Sequence, residues 1–371
     1  MNKTYKKACV LAVKILIAAA LLAWVVSKTH WHDYVVTKEG EISVKDLRLT
    51  GAEEVRPGLA TTLSRLKAFY LCLACAGFVS SLLIVGVRWW FLLRIQDIYI
   101  RLWEAIRLTF LGQFFNTVVP GTVGGDLVKA YYVFKHTPKK GAVLVSVFVD
   151  RVLGLTELTL LATIMLVGIL VSGKATLDDP NMHNSAVAIG VVIAIVVGTM
   201  FFLFSPGFRK ALHLQRLYHK LPVAHHIAAA GEAATLYRRR IGALLKAVAM
   251  TFGAHCLWVG SLALVGKSLN LSTQWYTYFV YIPLIYIIGA VPITPGGVGL
   301  IEQLYVAFFV TAAAAGTPGV TASEVLPFAL LARLIPIFWG LPGILVAITG
   351  PRLPKADAIK AELKLPAENA G

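Results

Sequence analysis

Residues 110–134, FLGQFFNTVVPGTVGGDLVKAYYVF, form an apolar stretch that is broken in its middle by Pro120, Gly121, Gly124 and Gly125 and resumes at Asp126. Proline removes a backbone donor and glycine weakens a helix, so this break leaves main-chain N–H and C=O groups amid Phe, Leu, Val and Tyr. Hydrocarbon cannot satisfy such groups; they must be buried in protein or line a wet cavity. The same pattern, P-x-T-x-G-G, returns 172 residues later as Pro292-Ile293-Thr294-Pro295-Gly296-Gly297, inside the apolar stretch 276–315. Each copy precedes a long apolar segment that carries an arginine, Arg151 after the first and Arg333 after the second. An internal repeat is therefore legible before any element is assigned.

The surroundings of the two breaks are of the same character. Hydrophobic residues make up 57% of the 371 and charged ones 15%, and the mean hydropathy is +0.73, so the bilayer must be the solvent. Runs of roughly 20 apolar residues, the length that crosses a hydrocarbon core, lie near 9–27, 68–88, 141–171, 185–205, 242–267 and 325–349. The first follows Lys3, Lys6 and Lys7 but outruns a signal peptide and lacks a small-residue cleavage site, so it reads as a retained helix, with Lys14 snorkelling to its end. The expected fold is all-α, a polytopic transmembrane helix bundle of about six full spans plus two Pro/Gly-broken re-entrant hairpins, with two complete spans as the alternative reading of either hairpin. One membrane domain is expected over 1–371. It comprises the first span and exterior loop (1–67), a first repeat (68–171, hairpin 103–134), a connecting span with a basic segment (172–241), a second repeat (242–349, hairpin 276–315) and a tail (350–371).

The net charge is +16, which would suit nucleic acid if the positive residues formed one patch. Once the spans are drawn, they fall on one side of the bilayer instead. Segments 1–8, 88–107, 135–140, 206–246 and 351–371 hold 22 Lys or Arg against 6 Asp or Glu, while the opposite segments 28–67, 172–184, 267–275 and 316–324 hold 9 of each. By the positive-inside rule the basic face is cytoplasmic, with both termini, in a multi-pass protein of the cell inner membrane. The expected partners are membrane lipids, with anionic headgroups facing the basic loops. Nucleic acid is not needed to account for the charge, and oligomerisation stays open. Segment 206–240 reads as one or two interfacial helices or a solvated loop. In the exterior loop, Glu39-Gly40-Glu41 beside alternating Ile42, Val44 and Leu47 predicts a small hairpin or cap.

The ends of the broken stretches sharpen the repeat. The first runs from Arg107 to Lys135, Lys139 and Lys140, so both its ends read as cytoplasmic; the second is flanked by segments poor in Lys and Arg, so both its ends read as exterior. Two hairpins entering from opposite faces make an inverted repeat, an architecture that places a substrate site near the midplane between the halves. Helices restarting at Asp126 and Val298 would aim their positive dipole ends at that cavity and hold an anion such as a phosphate.

Ionisable side chains at membrane depth cost about 2.5–3.5 kcal/mol each, so each needs a partner or a purpose. Here they are Asp126, Lys129, Asp150, Arg151, Glu157, Glu302 and Arg333. Asp126 and Lys129, three apart, can neutralise each other, whereas Glu302 must look to Arg333 or Arg151 across helices. Arg151 and Arg333 are expected to bind a headgroup phosphate, with Asp126 and Glu302 as counter-ions or proton carriers; static ion pairing is the alternative. Cys9, Cys72, Cys75 and Cys256 read as small apolar residues, and His255 as a packed helix residue. No metal-ligand, nucleotide-binding or hydrolase motif is present, so no metal, no cofactor and no catalytic residue is expected, and the chain reads as a non-enzyme.

These residues resemble the lysylphosphatidylglycerol synthase transmembrane region, a family of flippase-like membrane proteins. The likeness rests on Asn116-Thr117-Val118-Val119-Pro120-Gly121-Thr122-Val123-Gly124-Gly125-Asp126-Leu127-Val128-Lys129, on Asp150-Arg151-Val152-Leu153-Gly154, on Pro295-Gly296-Gly297-Val298-Gly299-Leu300-Ile301-Glu302 and on Arg333 through Gly340, covering about 68–349. Lys129 stands where Arg, and Asp150 where Glu, is the commoner residue, which keeps the charge and changes its reach. The resemblance implies a lipid flippase whose substrate-binding set is Asn116, Pro120, Thr122, Gly124, Gly125, Asp126, Lys129, Asp150, Arg151, Thr294, Gly296, Gly297, Glu302 and Arg333. In bifunctional members the membrane part is fused to an aminoacyl-transferase domain; with the chain ending at Gly371, only the transport half is expected. The implied cargo is an anionic phospholipid, an aminoacylated lipid or a polyprenyl-phosphate-linked lipid. The alternatives are an integral-membrane transferase acting on a lipid-linked substrate, with Asp126 or Glu302 as acid or base, and a transporter of a small anion.

Overall fold

The computed structural model describes residues 16, 19–24, 26, 27, 29–37, 40–43, 55–118, 124–134, 137, 140–178, 180–204, 241–291, 293–310 and 319–349. Cys9, Lys14, Pro120, Thr122, the basic segment 206–240 and the tail lie outside them. The strands are β1 (Tyr34–Thr37), β2 (Gly40–Ser43) and β3 (Val55–Arg56). The helices are α1 (Leu59–Ser64), α2 (Ala68–Ile95), α3 (Leu102–Val118), α4 (Gly124–Phe134), α5 (Lys140–Val171), α6 (Pro180–Phe204), α7 (Ile241–Ser268), α8 (Trp275–Gly289), α9 (Leu300–Phe309), α10 (Ala322–Gly340) and α11 (Pro342–Thr349).

Apart from one short sheet the described residues are helical, as an apolar chain in a bilayer requires. At 1.5 Å per residue the 28 residues of α2 reach ~42 Å, more than the ~30 Å of a hydrocarbon core. Among the described residues four helices are long and apolar enough to cross, Ala68–Ile95, Val149–Val171, Gly242–Ser268 and Ala322–Val346. Along α5 the exposed residues Leu155, Leu160, Ile164, Val167 and Val171 form an apolar face suited to lipid rather than water.

Both Pro/Gly breaks fall between helices, α3 and α4 in the first copy, α8 and α9 in the second. The 11 residues of α4 and the 10 of α9 reach only ~16 and ~15 Å, about half a crossing each. The first restart comes two residues earlier than expected, at Gly124, and the second two later, at Leu300, because a 3₁₀ turn over Pro295–Gly297 intervenes. A second boundary also moves. α2 continues past residue 88 to Ile95, and Arg88, which the charge pattern assigns to a cytoplasmic segment, is 4% exposed inside a helix.

The chain groups into two compact units, one holding Glu302 of α9 and the other Asp126 of α4. The Glu302 unit comprises Met1–Val79, Thr117–Thr122 and Leu257–Phe338. Its core is a ring cluster from α8, α9 and α10, in which Tyr278 meets Phe309 at 5.0 Å and Tyr305 meets Phe328 at 5.1 Å between centroids. Gly266 admits the Tyr278 hydroxyl, with which any side chain there would collide.

The same unit carries the expected cap, which is a three-stranded antiparallel sheet in the order β2-β1-β3, more than the expected hairpin. The Gly58 N–H donates to Asp33 Oδ1 at 2.9 Å, and the His30 N–H donates to Ser323 Oγ at 2.8 Å. The Thr61 side chain and the Gly58 amide hold the Asp33 carboxyl below the ordinary 3.8. A depressed carboxylate stabilises the fold above its unfolded value and ceases to as pH falls through the folded one. Asp33 is largely solvated, so this contribution is under about 1 kcal/mol. Protease resistance of the cap is expected to hold down to about pH 5 and decline below about pH 4, and Asp33→Asn is expected to flatten that decline.

The Asp126 unit comprises Ser80–Asn116, Val123–Cys256 and Trp339–Gly371. Its core joins Trp89 and Leu93 of α2, Ala105 of α3, Val133 and Phe134 of α4, and Val143 and Val147 of α5. Gly86 lets α2 approach Ile106 and Thr109 of α3, and Gly343 lies against the Phe110 backbone, close contacts of the kind small residues permit between membrane helices.

Candidate functional site

In the Asp126 unit the site starts at the helix restart. The Gly125 N–H, one of the amides a helix N-terminus leaves without an intrahelical acceptor, donates to Asn116 Oδ1 at the end of α3 at 2.9 Å. This bond folds α4 back against α3. Gly125 has no room for a side chain, since a Cβ would run into the Gly112 carbonyl. One residue on, Asp126 is 4% exposed and sits in the first turn of α4, where a carboxylate complements the helix dipole. It holds two cations. Lys129 Nζ lies 3.0 Å from Asp126 Oδ1, and the Arg151 guanidinium of α5 engages Asp126 Oδ2 through Nε and Nη2. Lys129 is itself buried, its ammonium 4.9 Å from the Trp89 ring centre and its methylenes against Gly112. The Arg151 side chain stays 42% exposed.

The Glu302 unit repeats the plan with one acid and one cation. Glu302, 2% exposed in the first turn of α9, accepts the Gly299 N–H at Oε2 (2.8 Å) and the Nε–H of Arg333 of α10 at Oε1. The remaining guanidinium nitrogens are taken up by backbone. Arg333 Nη1 donates to the Gly296 carbonyl at 3.2 Å and Nη2 to the Gly297 carbonyl at 3.3 Å. Those carbonyls face the arginine because Gly296 and Gly297 sit at φ 61° and 69°, the left-handed region open to glycine. Thr294 of the same turn is 4% exposed, and its Oγ1 has no hydrogen-bond partner among the described residues.

In both units, then, an acid in the first turn of the helix after the break binds Nε of the arginine on the next long helix. The two differ in charge. Among the described residues two cations pair with the one carboxylate of Asp126, while Glu302 pairs with Arg333.

Of the expected residues the structure brings together Asn116, Gly125, Asp126, Lys129 and Arg151 in one unit, with Gly124 as the first residue of α4, and Thr294, Gly296, Gly297, Glu302 and Arg333 in the other. Asp150 takes a different partner. Adjacent helical residues point about 100° apart, and Asp150 turns from Arg151's partner to Arg88, whose Nη2 lies 2.7 Å from Asp150 Oδ1. Arg88 was missed because it sits at the end of an apolar run; Trp89, Trp90, Phe91, Leu92 and Leu93 directly after it were the available sign that the helix continues. Among the described residues no three His, Cys, Asp or Glu side chains gather as metal ligands would.

A model of the lysylphosphatidylglycerol synthase TM region matches residues 11–343 of the chain, which reaches further toward the N-terminus than the motifs that carry the resemblance. A search of curated proteins found no match.

Proposed function

We propose a lipid-transport function from one premise: the chain belongs to the lysylphosphatidylglycerol synthase TM region family, and is a multi-pass membrane protein with a lipid-related role. The Asp126 site takes the anionic headgroup of a membrane lipid, a phospholipid, aminoacylated lipid or polyprenyl-phosphate-linked lipid, as it crosses the cell inner membrane. The observation that carries this reading is that Lys129 and Arg151 both pair with the one carboxylate of Asp126, with Arg151 half-exposed. Arg151 is the exposed member of the cluster, and a phosphate accepts bidentate bonds from a guanidinium. The neutral Glu302–Arg333 pair, closed onto two carbonyls, acts as the fixed clamp of its own broken helix.

Two re-entrant hairpins in an inverted repeat fit this role, since the short α4 and α9 cannot cross alone and the flanking charges assign their ends to opposite faces. Both termini are then cytoplasmic, and the protein is a transporter rather than an enzyme. The purified chain in liposomes is expected to move fluorescent phosphatidylglycerol between leaflets faster than a zwitterionic analogue, with the lipid recovered unchanged in mass. Equal rates for both would remove the anion site from the mechanism, and a new lipid mass would mark a transferase. With the native cysteines removed, Thr122→Cys and Thr294→Cys are expected to label from opposite faces of the membrane; labelling of both from one face alone contradicts the inverted arrangement.

A further inference from the structure

The Asp126 unit holds a second set of buried polar groups that the anion site does not use. It lies among α2, α5 and α7, three helices that are apolar and long enough to cross a membrane. α2 supplies Arg88, α5 supplies Asp150, Gly154 and Glu157, and α7 supplies Thr251 and His255. Residues 150, 154 and 157 share one face of α5, and 251 and 255 share one face of α7.

Arg88 ties this layer together. Its Nη2 pairs with Asp150 Oδ1 at 2.7 Å and its Nη1 donates to Thr251 Oγ1 at 3.0 Å, while the Thr251 hydroxyl donates to the Ala247 carbonyl at 2.7 Å. One turn along, the missing side chain of Gly154 leaves room for the imidazole, since a Cβ there would stand 4.0 Å from His255 Cε1. Glu157, the next polar residue on that face, is 3% exposed, and its Oε2 has no hydrogen-bond partner among the described residues. Glu157 lies in the field of Arg88 from α2 and acts on Cys256 from α7, and His255, like Glu157, lies in the field of Arg88.

The charges do not close as a static structural network would. Among the described residues Arg88 is already balanced by Asp150, so an ionised Glu157 is one negative charge too many in buried surroundings, and a protonated one is neutral. We propose that Glu157 is a proton-binding site that couples lipid movement to a transmembrane proton gradient. On uptake the Glu157 carboxylate becomes a carboxylic acid; on release the O–H proton passes to water, and no other reactant is consumed. Arg88–Asp150 keeps the layer in register and does not itself titrate in the cycle. The coupling half of this inference rests on the transport function proposed above; the proton-binding half does not.

Two measurements on the full-length chain separate them. In infrared difference spectra of the reconstituted protein taken across a pH titration, a carboxylic C=O band is expected in wild type, lost in Glu157→Gln and kept, shifted, in Glu157→Asp. In phosphatidylglycerol liposomes containing a fluorescent phosphatidylglycerol, an imposed pH gradient is expected to change the wild-type rate severalfold and to leave the Glu157→Gln rate unchanged, while Glu157→Asp, the control for folding, keeps a response. Arg151→Ala is expected to lose flux and keep the infrared band. A titrating band that survives in Glu157→Gln overturns the proton site, and a Glu157→Gln protein that still responds to the gradient overturns the coupling. If wild type moves no lipid at all, the transport function fails and the infrared arm alone decides the proton site.

Discussion

Arg151→Ala is expected to slow lipid translocation in liposomes by roughly 10- to 100-fold while leaving the protein folded. The estimate follows from the charge-assisted bonds a guanidinium makes to a phosphate, worth about 1.5–3 kcal/mol against a competing neutral contact, with each 1.36 kcal/mol a factor of ten in rate. Folding should survive because Asp126 keeps Lys129 at 3.0 Å, so its buried carboxylate is not left without a cation. Arg151→Lys is expected to recover part of the rate, since a point charge returns without the planar fork. Arg333→Ala should behave differently. It removes the sole described cation bonded to Glu302 and the donors to the Gly296 and Gly297 carbonyls, so its first effect is a lower thermal stability in detergent. Wild-type rates in Arg151→Ala would exclude the anion site from transport, and equal, purely kinetic losses in both variants would contradict the division of labour between the two pairs.

The largest effect on stability is expected from Gly125→Ala. The added carbon has nowhere to go: it meets the Gly112 carbonyl and stands 2.7 Å from Asn116 Oδ1, the acceptor that caps α4. Relief requires α4 to move off α3, which breaks the Gly125–Asn116 bond and pulls Asp126 from Arg151. A loss of about 3 kcal/mol or more is expected, at the upper end for overpacking by a single methyl, seen as a lower unfolding temperature and loss of the monodisperse protein. Gly168→Ala in α5 is the control. Nothing lies within 4 Å of the carbon it adds, so it should be neutral or mildly stabilising, by up to about 1 kcal/mol. If both substitutions are equally silent, the close α3–α4 packing does not hold in the membrane.

Much of the plan was open to reading from residues alone. Pro and Gly clustered as P-x-T-x-G-G inside an apolar run disfavour continuous helix, so both breaks followed from spacing and the lengths of α5 and α7 from composition, whereas α2 outran its expected end at residue 88. Lys129 with Asp126 is a matter of three residues on one helix, and it forms. The pairing of Glu302 with Arg333 rather than Arg151 was not so determined, because a residue 31 positions away on another helix has no spacing signal.

What the chain's order of residues decided by itself is therefore that it is a helical membrane protein with two matched interruptions, each followed by an acid and then an arginine. The tertiary structure alone decided which charge meets which across helices. Asp150 and Arg151 are neighbours in sequence, yet helical geometry turns them to different helices, one toward the hidden Arg88 and the other toward Asp126. Packing set the direction in which each side chain points, and with it the pairing of two cations with Asp126 and of one with Glu302 among the described residues.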